Sequence, residues 1–383
     1  MMASIRKGKP FARRRRKATG PSGVAGLPKM KRSTLVLTLI LALLFSVGGT
    51  LAWVLMPRVA GGAGTSGALS PASTADLALS WGLKRIGAPQ AWEYTTGSQA
   101  IVVAVIDSGI DTSAPQLAGE VWTNPKEIPG NGIDDDKNGY VDDVHGWDFR
   151  NSSSVNTTPI HWHGTFVAGI IAAQATADGV AGVAPGVRIM DLRVLDSKNL
   201  FYSTDWPKLA AAVDYATKNG ARIINLSIYS NGKPPLVFEE AISRAVESGV
   251  IVVGITGNEG KNAVSYPGKY PGVLAVSATD QSDHLASFSN YGPEVAVAAP
   301  GEKITSLRPG GTAGTGSGTS FAAPHVAGTL ALILSENPHL TAQEAISTLK
   351  SAAVDLGVAG RDQEFGSGLI DANRAVGTAQ SKN

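Results

Sequence analysis

Cysteine is missing from all 383 residues. Its absence excludes disulfides, thiolate zinc sites and a cysteine nucleophile, and it suits an exported protein. Acidic residues are missing from the first 32 positions, which hold eleven Lys and Arg, including the run "RRRRK" at Arg13–Lys17. From Ser33 onward 22 basic residues face 31 acidic ones, so the formal charge of +2 conceals a basic tail and an acidic body. No internal repeat is present, which favours a single folded domain. Charged residues are only 17% of the chain against 43% hydrophobic ones, the balance of a folded protein rather than a disordered one.

The basic tail alone would suit nucleic acid, but the apolar segment after it points to a membrane and not to nucleic acid. Leu35–Met56 reads "LVLTLILALLFSVGGTLAWVLM", 22 residues without a charge. At 1.5 Å per residue it spans a hydrocarbon core of ~30 Å. Trp53 stands near its far end, where interfacial aromatics gather, and the basic flank keeps the N-terminus cytoplasmic. The alternative is a cleaved signal peptide, which would release a secreted product. Its apolar region ordinarily runs 7–15 residues, so the length favours a retained anchor. The expected organisation is a basic cytoplasmic tail (1–32), a transmembrane helix (33–56), a Gly/Ala/Ser/Thr-rich linker (57–80) and one folded domain (81–378) whose bulk lies outside the cytoplasm.

Within that domain, short β-branched runs alternate with amphipathic ones. "AIVVAVID" (100–107), "RIINLSI" (222–228), "VIVVGITG" (250–257) and "VLAVSATD" (273–280) predict fully buried strands. "DWPKLAAAVDYATKNG" and "PLVFEEAISRAVESG" predict helices closed by glycine. "TAQEAISTLKSAA" predicts a helix with Thr341 and Glu344 as a capping box. The alternation implies an α/β domain in which a parallel sheet is covered by helices on both faces.

Functional groups of such a sheet gather at the carboxyl ends of its strands. Asp107 stands there in "VIDSGID", and Asn258 ends another strand in "GITGNEG". His163 precedes an apolar helix in "HWHGTFVAGIIAA". Ser320, in "GSGTSFAAPHVAG", reads on its own as a helix N-cap with Pro324 in the first turn. Each has an ordinary structural explanation: a turn-forming Asp, a structural His, a loop Asn and a capping Ser.

Together, in the order Asp107, His163, Asn258, Ser320, these motifs resemble the subtilisin-like serine protease family. "GVAPGVRIMDLRVLD", "NLSI", "YPGKYPGVLAVSATD", "SFSNYG", "AAPGEKI" and "FGSGLIDANRAV" extend the similarity over about 300 residues. The resemblance implies a three-layer subtilisin-like fold, its central mostly parallel sheet flanked by helices. It implies a serine endopeptidase acting on protein or peptide substrates through an acyl-enzyme, with no cofactor for the chemistry. Ser320 would be the nucleophile, His163 the general base and then acid, and Asp107 the group that fixes its tautomer. Asn258 would donate to the oxyanion, and Ser227, Ile228, Tyr229, Thr256 and Gly257 would line the substrate.

Departures from the family pattern bear on specificity. Where "S-L-G-G" is usual the chain has Ser227, Ile228, Tyr229 and Ser230, and the tyrosine should crowd the primary pocket. The glycine-rich strand expected after "VLD" is replaced by Lys198, Asn199, Leu200 and Phe201. Phe166 stands where the family has a second histidine and should not touch the chemistry. These changes put a narrow processing protease for a dedicated peptide level with general proteolysis, as the alternative within enzymes, and a catalytically silent binding protein is the alternative outside them.

One insertion, "GIDDDKNGYVDDVHGWD", suggests calcium as a structural ion. Asp134, Asp136, Asn138, Gly139, Tyr140 and Asp142 follow the spacing of a calcium loop, but His145 replaces the glutamate expected at its twelfth position. A solvated acidic turn is the alternative.

Overall fold

The computed structural model describes residues 5–6, 79–155, 159, 161–176 and 180–382. The predicted membrane segment Leu35–Met56 lies outside the described residues, as do most of the tail and linker. Among the described residues no helix is long and apolar enough to cross a membrane. Of the tail, Ile5–Arg6 (β1) pairs in parallel with Phe201–Tyr202 (β6).

The apolar runs form the strands they predict. Val102–Asp107 (β2), Ile223–Leu226 (β7), Ile251–Ile255 (β8) and Val273–Thr279 (β9) are buried along their whole length. They join Gly146–Asp148 (β3), Ser153–Ser154 (β4), Arg188–Arg193 (β5) and Val295–Pro300 (β10) in one sheet. Its order is β10-β9-β8-β7-β2-β5-β3-β4, parallel except at the β3–β4 edge.

Side chains of a strand alternate between faces, and two cores result. Val103 and Val105 of β2 belong to one, and Val102, Ala104 and Ile106 to the other. Trp162–Ala172 (α3) and Thr319–Glu336 (α6) cover the first face. Both are apolar on all sides, as interior helices are. Trp206–Lys218 (α4) and Leu236–Glu247 (α5) cover the second, amphipathic as the sequence predicts. Each is followed by a left-handed glycine, Gly220 or Gly249, that turns the chain back. Ala342–Ala352 (α7) keeps its capping box, with Thr341 and Glu344 each bonded to the other's backbone. Trp81–Arg85 (α1), Ala88–Ala91 (α2) and Ala372–Gln380 (α8) complete the helices named here. A hairpin of Ile304–Arg308 (β11) and Thr312–Gly316 (β12) leads into α6.

One close approach sets the geometry above the sheet. A Cβ on Gly164 would lie 2.4 Å from the carbonyl oxygen of Gly109. The first turn of α3 therefore rests directly on the loop leaving β2, which only glycine allows without displacing backbone.

Candidate active site

Asp107 is the last residue of β2, Ser227 follows β7, and Asn258 stands three residues past β8. All three lie at the carboxyl ends of adjoining parallel strands. His163 and Ser320 come from above, each the second residue of its helix. The first turn of a helix holds backbone N–H groups without intrahelical partners and carries partial positive charge.

His163 is not ahead of its helix, as the sequence suggested, but inside the first turn. His161 is the cap, its Nδ1 accepting the His163 N–H at 3.3 Å. Burial, then the neighbouring His163, holds the His161 pKa below the ordinary imidazole value. That keeps the ring neutral, as an accepting nitrogen must be. His163 presents Nδ1 to both oxygens of Asp107 at 2.9 Å, and both side chains are at most 2% exposed. Ser108 N–H adds a 2.7 Å bond to Asp107 Oδ1.

The capping role expected of Ser320 belongs instead to Gly318, and Pro324 is the sixth helical residue, not one of the first turn. The consequence is specific. Pro324 has no N–H for the carbonyl four residues earlier, which is that of Ser320. Ser227 Oγ fills the place, donating to Ser320 O at 2.9 Å, and Asn225 Nδ2 donates to Ser227 Oγ at 2.9 Å. The chain is thus tied from β7 to the residue that carries the hydroxyl. Ser320 Oγ itself turns its proton toward the Ser227 carbonyl at 3.4 Å and not toward His163. Such bonds commonly tighten only when substrate binds.

Asn258 Oδ1 accepts from Thr319 N at 2.8 Å and Thr319 Oγ1 at 3.0 Å. This orients the amide so that Nδ2 is left buried with no partner among the described residues. A buried unspent donor costs ~1–3 kcal/mol, so it marks a place prepared for an acceptor.

The expected substrate-lining residues divide. Ser227 adjoins Ser320, and Thr256 and Gly257 lead directly into Asn258. The side chain of Ile228 is packed into the core beneath α4 and α5, so only its backbone is left to face substrate. Tyr229 is 6% exposed and gives its hydroxyl to Glu259. Burial would raise the Glu259 pKa, but hydrogen bonds from Tyr229, Asn290 and Asn231 more than offset it and leave the carboxyl below its usual range. Lys198 and Leu200 both give their N–H to Asp196 Oδ1, so this segment is a tight turn and not an extended strand. Phe166 reaches the site through Phe321, whose ring lies 4.5 Å from its own and 5.5 Å from that of His163, and through Trp162, 5.5 Å from its ring.

Two of the proposed calcium ligands, Asp134 and Asp136, stand in one carboxylate cluster. Asp142 is spent on the N–H groups of Gly130, Asn131 and Gly132. Asn138 bonds Tyr140 N and Asp143, and the Tyr140 ring packs against Trp147, Phe149 and Tyr215. The carboxylates brought within 4.8 Å of one another are those of Asp134, Asp136 and Glu127. Glu127 was invisible to the spacing argument because it precedes the loop. Oxygen donors of this kind suit a hard cation, and calcium is a common structural ion among subtilisins. If one is bound here, Glu127, Asp134 and Asp136 would hold it.

Sequence comparison agrees with this geometry. Residues 98–368 match the subtilase family. Subtilisin Savinase of Lederbergia lenta is 35% identical over 296 residues, 77% of this chain and 98% of Savinase. Thermitase of Thermoactinomyces vulgaris is 35% identical over 300 residues, 77% of this chain and 95% of thermitase. Subtilisin NAT of Bacillus subtilis subsp. natto is 37% identical over 302 residues, 77% of this chain and 71% of its own.

Behind Asp107 lies a second buried carboxyl. Asp191 of β5, paired in register with Val105, accepts the Ile110 N–H at 3.1 Å, and its other oxygen has no partner among the described residues. Burial pushes its pKa up to about 7; the Ile110 bond and Arg193 oppose that shift, while Asp148 and Asp107 add to it. A raised folded-state value favours folding while the group stays protonated. That contribution is full below the ordinary carboxylate range near pH 4 and is lost as pH rises through about 7. Asp191→Asn keeps an acceptor for Ile110 and removes the titration. Thermal unfolding from pH 5 to 8 should therefore show a smaller decline in the variant than in the parent, and equal slopes would contradict the assignment.

Proposed function

The chain belongs to the subtilase family and is a serine endopeptidase, and we propose that Asp107, His163, Ser320 and Asn258 carry its chemistry. The observation that bears most weight is the unspent Nδ2 of Asn258, held by Thr319 beside the helix start that presents Ser320. A tetrahedral oxyanion would accept from that group and from the Ser320 N–H, which has no intrahelical partner.

The steps follow from the placement. His163 Nε2 takes the Ser320 proton as Oγ bonds to the scissile carbonyl carbon, whose π electrons move onto oxygen. Asp107 keeps the imidazole proton on Nδ1 and stabilises the imidazolium. As the tetrahedral carbon collapses, His163 returns the proton to the departing amine, leaving an ester on Ser320. Water repeats the sequence and frees the acid. Catalysis in this family uses no cofactor.

Ser320→Ala should abolish peptide hydrolysis and labelling by a fluorophosphonate while thermal unfolding stays cooperative. Asn258→Ala should lower kcat by ~10²–10³, the magnitude established for the corresponding donor in subtilisin. Hydrolysis that persists undiminished in Ser320→Ala would remove the assignment.

We also propose that the catalytic domain works outside the cytoplasm, held by Leu35–Met56 or released after it is cut. The supporting features are the eleven positive charges and the 22 uncharged residues that follow them. A bilayer between tail and domain excludes the Ile5–Arg6 pairing with β6, so the anchored arrangement and that pairing are alternatives. Protease added to intact cells, or assay of the culture fluid, should find the domain without lysis. A domain reached only after lysis would contradict this placement.

A further inference from the structure

A pocket of about 180 Å³ opens beside the nucleophile, lined by Trp162, His163, Arg308, Phe321 and Ser320 and floored by Thr315–Gly318, where β12 ends and the chain turns into α6. It is too small for a free ligand of ordinary size, but it accepts one side chain. Its position relative to the chemistry decides which one. Ser227 and Asn258, on the acyl side of Ser320, are not among its walls, whereas His163, the group that protonates the departing amine, is. The residue entering it is therefore the one that follows the scissile bond.

Arg308 sets the character of this pocket. Its guanidinium lies 4.2 Å from the centre of the Trp162 ring and gives one hydrogen bond, at 3.3 Å, to Thr315 O. No carboxylate pairs with it among the described residues, so most of its five donors are unspent. The hairpin is shaped to hold it there. A Cβ on Gly314 would lie 2.2 Å from Arg308 Nε and 2.8 Å from its Cγ and Cδ, so the side chain lies flat across a position kept empty. The hairpin is also fixed in place. Asp111 accepts the Gly310 N–H at 2.7 Å, Gln116 Nε2 bonds Gly311 O at 2.9 Å, and Ser306 Oγ bonds Phe166 O of α3 at 2.8 Å. A cation stacked on an indole, half out of water and anchored on both sides, is suited to receive a carboxylate.

We propose that Arg308 makes this endopeptidase select an acidic side chain, Asp or Glu, immediately after the scissile bond. The proposal rests on the proteolytic reading and adds a substrate class to it. Gly314 is its positioning residue, acting only by leaving room for the arginine.

The test uses quenched fluorescent peptides identical but for Glu, Gln or Lys after the scissile bond, assayed with the full chain. A second assay measures how the acyl-enzyme divides between water and added glutamate α-amide or lysine amide, which probes the same pocket without the first step. The parent should favour Glu over Lys by about tenfold in both, the low end for a hydrogen bond to a charged group. Arg308→Gln should bring that ratio near one, Arg308→Glu should invert it, and Gly314→Ala should lower it by displacing the side chain. Because the ratio is taken within each variant, a general loss of activity cancels. Equal rates on Glu and Lys peptides in the parent, or a ratio unchanged in Arg308→Gln, would overturn this proposal while leaving proteolysis intact. Failure to cleave any peptide would overturn both.

Discussion

A carboxylate and an imidazole, Asp107 and His163, meet at 2.9 Å with almost no access to water, and the architecture is arranged around that contact. A buried charge needs a partner and hydrogen bonds or it neutralises itself. Asp107 therefore sits where β2 ends, with the Ser108 N–H on one oxygen, and α3 must bring an imidazole down onto it. Gly164 lets the helix descend, resting on Gly109 O with no side chain between. His161 then caps the same turn and frees His163 from any duty to its own helix.

Ser320 is placed by a different device. A proline inside α6 would ordinarily leave an unmet carbonyl and a weakened helix. Here the unmet carbonyl is that of Ser320, and the Ser227 hydroxyl satisfies it from the neighbouring strand. The loss of one helical bond becomes a tie between the sheet and Ser320, with Asn225 supporting the tie through Ser227. Asn258 is oriented in the same way, its oxygen used by Thr319 so that its nitrogen is free. Two of the polar groups at the centre are thus fixed by what they give to α6.

Much of this was legible in the chain. Short, β-branched continuous runs such as "IVVAVID" point to strands buried on both faces, and the alternation of runs and amphipathic stretches specified the layers. The order Asp107, His163, Asn258, Ser320 brought the site together before the fold did. What the sequence hid is local and three-dimensional. It could not separate a capping serine from one at the second helical position, because Gly318 and Thr319 ahead of it suit either. The calcium-loop spacing could not include Glu127, which enters the carboxylate cluster from outside the counted window. Nor could spacing bring Arg308 beside Trp162, since 146 positions separate them and only the hairpin's packing on α3 joins them.

The central claim is that a covalent intermediate forms on Ser320, promoted by a pair sealed beneath it. The most direct measurement is the mass of the intact protein, quenched in acid milliseconds after mixing with an activated p-nitrophenyl ester, followed by peptide mapping. The account predicts one acyl group per chain, on the peptide containing Ser320, appearing as p-nitrophenolate is released in a stoichiometric burst. An unmodified chain during steady turnover, or an acyl group on any other residue, would contradict it.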